Sequence, residues 1–289
     1  MILNTNIQAL LSTNSLWHRN NALEKASTNL SMGTKINKSG DDPTGMAVCN
    51  KMRMQIKGIE MADKNANDAI SLIQTAEGSI SEMQNIAQRM RELAVRASNA
   101  TLTTSDRETI QREIVELSQE IDSISKKTEF NKTHLLNGNY SEFTFHTGNG
   151  STDNFTVSFK EINSEVLGLS TELAGVYDDD GTPIKLNIEG LDYTTVDGAQ
   201  DALERCDKAI NRINIYRSKL GAAQNRLETT SKSLVISEEN VHSALSRVLD
   251  TDMAEEMSEY TKNNVLVQAG ISMLSQANQR PNQLLSLLQ

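Results

Sequence analysis

Along most of this chain apolar residues recur at alternating intervals of three and four. Ile59, Ala62, Ala66, Ala69, Ile73, Ala76, Ile80, Met83, Ala87, Met90, Ala94 and Ala97 form one such series, with no charged member. A seam sustained over that many heptads predicts coiled-coil-like packing rather than a lone amphipathic helix. Asp42-Pro43 supplies the start, with Asp at the N-cap and Pro where a missing N–H costs nothing. A helix from Gly45 to Asn99 would be about 80 Å long at ~1.5 Å per residue. Residues 99–104 read as a polar reversal and Ser105-x-x-Glu108 as a capping box. Ile110, Ile114, Leu117, Ile121 and Ile124 then mark a second helix, antiparallel because the connection is short. The seam returns from Asp197 through Ala199, Ala202, Cys206, Ala209, Ile213, Tyr216, Leu220, Ala223, Leu227, Thr230, Leu234, Ser237, Val241, Ala244 and Val248. These three segments are expected to bundle.

Between Phe130 and Asp197 the period changes to two. Phe143-Thr144-Phe145 and Phe155-Thr156-Val157-Ser158-Phe159 flank Gly148-Asn149-Gly150, which predicts a hairpin with a long tip. Tyr177 to Gly181 reads as a turn, and Ile184, Leu186 and Ile188 suggest a further short strand. The two chain ends differ again. Met1–Trp17 and Asn263–Gln279 carry no charged side chain and mix Leu, Ile, Val and Met with Asn, Gln, Ser and Thr. Chain ends are ordinarily solvated and tolerant of charge. Stripes without charge are built to be covered, first by each other and then by further copies of the molecule. The resulting fold class is mainly α: a long antiparallel helical bundle or coiled coil, a rod with a small β-hairpin region in a central insert. Its expected divisions are 1–40, 41–138, 139–196, 197–254 and 255–289, the first and last pairing as an inner two-helix module.

Composition sharpens this picture. Of 289 residues, 37% are hydrophobic and 4% aromatic, so narrow seams of Ala, Ile, Leu and Met suit the chain better than a thick globular centre. Three prolines leave long helices uninterrupted. A net charge of −10 argues against a nucleic-acid partner, which needs a basic face. No apolar run is long enough to span a membrane, and no basic n-region precedes an apolar h-region as in a secretory signal.

Catalytic chemistry finds little support. His18, His134, His146 and His242 are dispersed, no His-Glu-x-x-His or phosphate-binding glycine loop occurs, and no cofactor is expected. Cys49 and Cys206 are too few and too separated for a metal site. Cys206 lies on the seam, where a small buried residue is the plain reading. An intramolecular bridge fails because the two cysteines sit far apart along antiparallel helices. Asp178-Asp179-Asp180-Gly181 lacks the spaced ligand series of a calcium loop and reads as an acidic turn.

Several motifs converge on one family. Ser31-Met32-Gly33-Thr34-Lys35-Ile36-Asn37, Asp41-Asp42-Pro43-Thr44-Gly45-Met46-Ala47 and Gln88 to Val95 resemble the N-terminal region of bacterial flagellins. Thr128-Glu129-Phe130-Asn131 and Leu135-Leu136-Asn137-Gly138 match the close of that region. Leu220-Gly221-Ala222-Ala223-Gln224-Asn225-Arg226-Leu227 and Gln276-Ala277-Asn278-Gln279-Arg280-Pro281, with Leu284 to Leu288, are similar to the C-terminal one. The likeness covers roughly 1–140 and 197–289, in order. The family commonly has Ser at Met32, Arg at Lys35 and Ala at Pro43; Lys35 keeps the charge without bidentate pairing.

The resemblance implies a structural, extracellular filament subunit. It would be exported unfolded through the flagellar type III channel without a cleaved signal peptide, and added at the tip of a hollow helical homopolymer. The terminal segments would line the lumen and the insert would face solvent. Inner-tube contacts are expected at Leu3, Ile7, Leu10, Leu11 and Leu16 against Val265, Val267, Ile271, Leu274 and Leu284. The implied partners are further copies of the chain, an export chaperone holding the C-terminal stripe as a helix in a groove, and the filament cap and hook-junction proteins. Arg89, Leu93 and Glu113 match residues by which an animal innate immune receptor recognises flagellins, though lateral packing is their plainer role. Outside the cell a bridge between Cys49 and Cys206 of stacked subunits could persist. Two alternatives stand beside this reading: a hook–filament junction protein with the same helical ends, and a cytoplasmic coiled-coil adaptor.

Overall fold

The computed structural model describes residues 6–138, 142–169, 176–177, 183–184, 193 and 195–287, with the backbone alone at 176–177, 183–184 and 281–287. The chain divides into two compact units, one of residues 58–237 and one joining 1–57 to 238–289.

Residues 58–237 are built on parts of three helices: α2 (Pro43–Ala97), α3 (Thr104–Lys127) and α5 (Val196–Leu249). Every member of the α2 series from Ile59 to Ala97 is buried, as are Ala199, Ala202, Cys206, Ala209, Ile213, Leu220 and Leu227 of α5 and Ile110, Ile114 and Ile121 of α3. Seven of the twelve α2 members are alanine, small side chains that let the helices approach closely. Polar clasps fix the antiparallel alignment of α2 and α5. The Arg217 guanidinium donates to Gln84 Oε1 (2.7 Å) and Glu77 Oε1 (3.4 Å), Arg91 Nε reaches Asp207, and Ser231 Oγ reaches Asp63.

Two sequence expectations are corrected here. The capping box opens α3 two residues earlier than Ser105: Thr103 Oγ1 accepts from the Asp106 N–H at 3.3 Å and Asp106 Oδ2 accepts from the Thr103 N–H at 3.2 Å. Thr103 is extended while Thr104 is already helical, so Ser105 falls inside the first turn. Ser237, placed on the α5 seam by its spacing, is exposed. Sequence reading also passed over Arg107. Its buried guanidinium donates to the Ala97 carbonyl (Nε, 3.0 Å) and the Asn99 carbonyl (Nη2, 3.0 Å), satisfying the end of α2 with the sign its dipole prefers.

Beyond α3, β1 (Glu129–Phe130) and β2 (Thr133–His134) form a minimal hairpin around Asn131 and Lys132, both at positive φ (49° and 63°). The period-two segments pair as predicted. β3 (Glu142–His146) runs antiparallel to β4 (Asn154–Ser158), in register from Glu142↔Ser158 to His146↔Asn154. Phe155, Val157, Phe159, Ile162, Leu167 and Leu169 are buried in the same core as the helices, with Phe143 and Phe145 packed on it. The β3–β4 hairpin therefore turns one face onto the bundle, and the alternate positions of both strands are exposed.

Further pins hold the segment down. A short helix, α4 (Ser164–Leu167), is tied to α3 where Asp122 accepts from the Ser164 N–H (2.7 Å) and Oγ (2.8 Å), and Arg212 Nη1 donates to the Val166 carbonyl at 2.7 Å. At the hairpin tip, Asn149 lies against Gly58 of α2 so closely that a Cβ there would fall 1.9 Å from its Oδ1. Returning chain is anchored by Tyr193, fully buried beside Cys206. β5 (Val176–Tyr177) pairs antiparallel with β6 (Pro183–Ile184). Of the turn expected at Tyr177–Gly181, Tyr177 belongs to β5 and the rest lies outside the described residues, as do the strand positions Leu186 and Ile188.

The other unit contains α1 (Ile7–Met32), the start of α2, the end of α5, and α6 (Met253–Leu287). The Asp42 cap is present: its Oδ1 accepts from the N–H groups of Thr44 (3.1 Å) and Gly45 (3.0 Å), with Pro43 at the first helical position. Ile36, Cys49, Ile56, Leu245 and Leu249 make a small separate core. A single antiparallel bridge, Thr34↔Asp250, joins the end of α1 to the start of α6, with Lys35 N–H to Leu249 carbonyl at 2.7 Å and Thr251 N–H to Gly33 carbonyl at 3.2 Å. Gly33 closes α1 at φ 70°, a left-handed cap that suits glycine.

Candidate assembly surface

The terminal helices α1 and α6 lie antiparallel and meet along an unusual stripe. On α6 the main sheltered positions are Glu256, Tyr260, Asn263, Val267, Gly270, Leu274 and Ala277, in strict four–three alternation. Small or polar residues dominate this stripe, and α1 answers with Ala9, Ser12, Leu16, Leu23, Ala26 and Asn29. Asn6 Nδ2 donates to the Ala277 carbonyl (2.9 Å), Asn29 Nδ2 to Glu256 Oε1 (3.2 Å), and Leu16 fits the gap left by Gly270. Asn263 is buried in the stripe with its Oδ1 unpartnered. A buried polar residue at such a position sets register at some cost in stability.

The large apolar side chains point the other way. Ile7, Leu10, Leu11, Val265 and Ile271 are 54–68% exposed, and Trp17, Leu266 and Met273 are exposed with them. The inner-tube contacts expected from sequence divide between two surfaces of the single chain. Leu16, Val267 and Leu274 occupy the stripe; the other five face outward, because a helical residue next to a stripe position is turned by about 100°. Leu3 lies outside the described residues, as does the Leu284 side chain. Trp17, Leu266 and Met273 were not singled out from sequence, although the absence of charge around them was the available signal. An exposed apolar array of this extent marks an interaction site.

Arg89 and Glu113 come together on the α2–α3 surface, with Arg89 Nη2 and Nε at 2.9 and 3.2 Å from Glu113 Oε1. Leu93 does not join them: it is buried in the core between the helices. Cys49 and Cys206 are free, fully buried thiols in different units. Burial pushes the Cys206 thiol up to about 11. Asp41 and Asp42 are both held below the ordinary carboxyl value, chiefly by backbone N–H donors, those of Lys38 and Gly45 respectively. Lys25 pairs with Asp41 at 3.2 Å, and the Lys35 charge supports Asp42. A cavity of about 30 Å³ beside Ile80, Leu136 and Tyr216 has room for a water molecule rather than a substrate. Among the described residues there is no group of three or more metal-ligating side chains and no helix long and apolar enough to cross a membrane.

Residues 3–141 match the family model of the bacterial flagellin N-terminal helical region, and residues 203–288 that of the bacterial flagellin C-terminal helical region. The chain belongs to the bacterial flagellin family. A flagellin of Bacillus subtilis (strain 168) is 44% identical over 310 aligned residues, covering 100% of both chains. Flagellin FlaB2 of Treponema pallidum (strain Nichols) is 39% identical over 298, again covering both. Among solved structures, a crystal structure of Bacillus cereus flagellin is 27% identical with a TM-score of 0.48, covering 59% of this chain and 88% of that one. This family member is a structural subunit that polymerises into the hollow extracellular filament of the flagellum and serves swimming. The junction-protein and adaptor alternatives are not favoured.

Proposed function

We propose that subunits add to the filament by covering the outward faces of α1 and α6 with the same helices of neighbouring copies, and that the chain carries no catalytic activity. One observation supports this reading above the rest: the intramolecular stripe is mostly small and polar, with Leu16, Leu23, Val267 and Leu274 among them, whereas Ile7, Leu10, Leu11, Trp17, Val265 and Ile271 stay exposed. Burying a Leu or Ile side chain fully is worth roughly 1.5–3 kcal/mol, so most of the apolar gain is reserved for contacts between chains. Leu10→Asp and Ile271→Asp should each abolish elongation of seeded filaments while leaving the melting of residues 58–237 in place. Normal elongation by both variants would sink the proposal.

Partners follow from the same surface and from the family. Before export the charge-poor helix α6 would be held by a helix-in-groove chaperone; the cap and hook-junction proteins would meet the filament at its two ends. The Arg89–Glu113 pair is the accessible part of the receptor-matching set, with Leu93 acting from beneath by fixing the helices. A reporter-cell assay with no response to the monomer would refute receptor recognition.

A further inference from the structure

Methionines of the described residues fall into distinct environments. Met83 and Met90 are completely buried in the helical core, Met54 and Met61 are exposed on α2, and Met32, Met253, Met257 and Met273 are 48–65% exposed on α1 and α6. Met253 and Met257 are four residues apart, on one side of the first turns of α6. Met32 ends α1, at the end of the helix pair where Asn29 meets Glu256 and Gly33 meets Thr251. Three thioethers thus stand at one end of the pair, and Met273 lies farther along its outward face.

We propose that these four methionines are oxidised by peroxides in the free subunit, and that their sulfoxides prevent its addition to the filament. The inference rests on the proposed assembly surface. A sulfur lone pair attacks one oxygen of hydrogen peroxide; the S–O bond forms, the O–O bond breaks, and the departing hydroxide takes up the proton as water. The thioether loses two electrons and the peroxide gains them. The product is a polar, chiral side chain in place of a flexible apolar one. Covering it against a neighbour would bury an acceptor that the apolar surface cannot satisfy. Incorporation protects the same sulfurs by removing them from solvent, so sensitivity belongs to the unassembled state.

Hydrogen peroxide applied to purified subunit and, separately, to preformed filament, with peptide mass spectrometry at each methionine, tests this. In the subunit the four should oxidise about tenfold faster than Met83 and Met90, and in the filament they should slow to similar rates. Seeded elongation by oxidised wild type should fall at least about fivefold, and the combined Met32→Leu, Met253→Leu, Met257→Leu, Met273→Leu variant should elongate equally with or without peroxide. Normal elongation by oxidised wild type, or equal loss in the leucine variant, overturns the inference. If untreated subunit elongates but the four sulfurs react as fast in filament as in subunit, the assembly-surface reading has failed and this inference with it; protected sulfurs with harmless oxidation would fail this inference alone.

Discussion

Cys206 shows what a single position in the helical core can and cannot do. It is enclosed beside Tyr193, and its thiol titrates near 11, so roughly a thousandth is thiolate at pH 8. Native subunit should therefore react with a maleimide at least about 100-fold more slowly at Cys206 than after denaturation. Non-reducing gels of intact filaments should show monomer alone; a dimer lost in Cys206→Ser would instead establish the bridge between subunits. At Asp42 the sign of the pH dependence is fixed by its lowered value. Its stabilising effect is complete above the ordinary 3.8 and fades as pH falls through the lowered folded value. Asp42→Asn keeps an N-cap without a proton to bind, so its melting midpoint should drop less than wild type between about pH 5 and about pH 3. Legibility at this scale was uneven. The α2 positions could be read because a periodic pattern names every member. Arg107 and Tyr193 could not: each is important through what lies opposite it in space, and nothing in the local sequence announces that.

Among elements, the helices and the main hairpin were legible because their periods of 3.6 and two are unambiguous over long runs. Their ends were less so. Ser105 and Thr103 both offer a hydroxyl with an acid three residues on, and backbone geometry, not pattern, selected Thr103. On the terminal helices the lack of charge was legible, but the stripe of small and polar residues that meets across the pair was not, because glycine, alanine and asparagine carry no strong periodic signal. Gly270 tests that stripe. A Cβ at 270 would stand 2.8 Å from Leu16 Cδ2. Gly270→Val should therefore force α1 and α6 apart and slow seeded elongation, and adding Leu16→Ala should restore much of it. Equal slowing in the single and double variants would show that the close approach is not what matters.

For the whole molecule, the two units have different sources of stability. Residues 58–237 bury a continuous core that includes two of the chain's phenylalanines and has the others packed against it. The terminal helix pair shelters little apolar surface, while ordering a backbone costs about 1–2 kcal/mol per residue. Its ends should consequently order chiefly on polymerisation: limited proteolysis should trim residues 1–35 from free subunit and spare them in filament. Deleting that segment should abolish elongation without shifting the melting of the core. Strong protection of 1–35 in free subunit would contradict this.

The hairpin tip has a practical corollary. Because Asn149 rests where α2 offers only a glycine, that loop is docked rather than dangling. A foreign epitope spliced between Gly148 and Gly150 would have to lift it from the helix and strip aromatic cover from the core beneath. Vaccine display on this subunit therefore calls for a splice elsewhere in the insert.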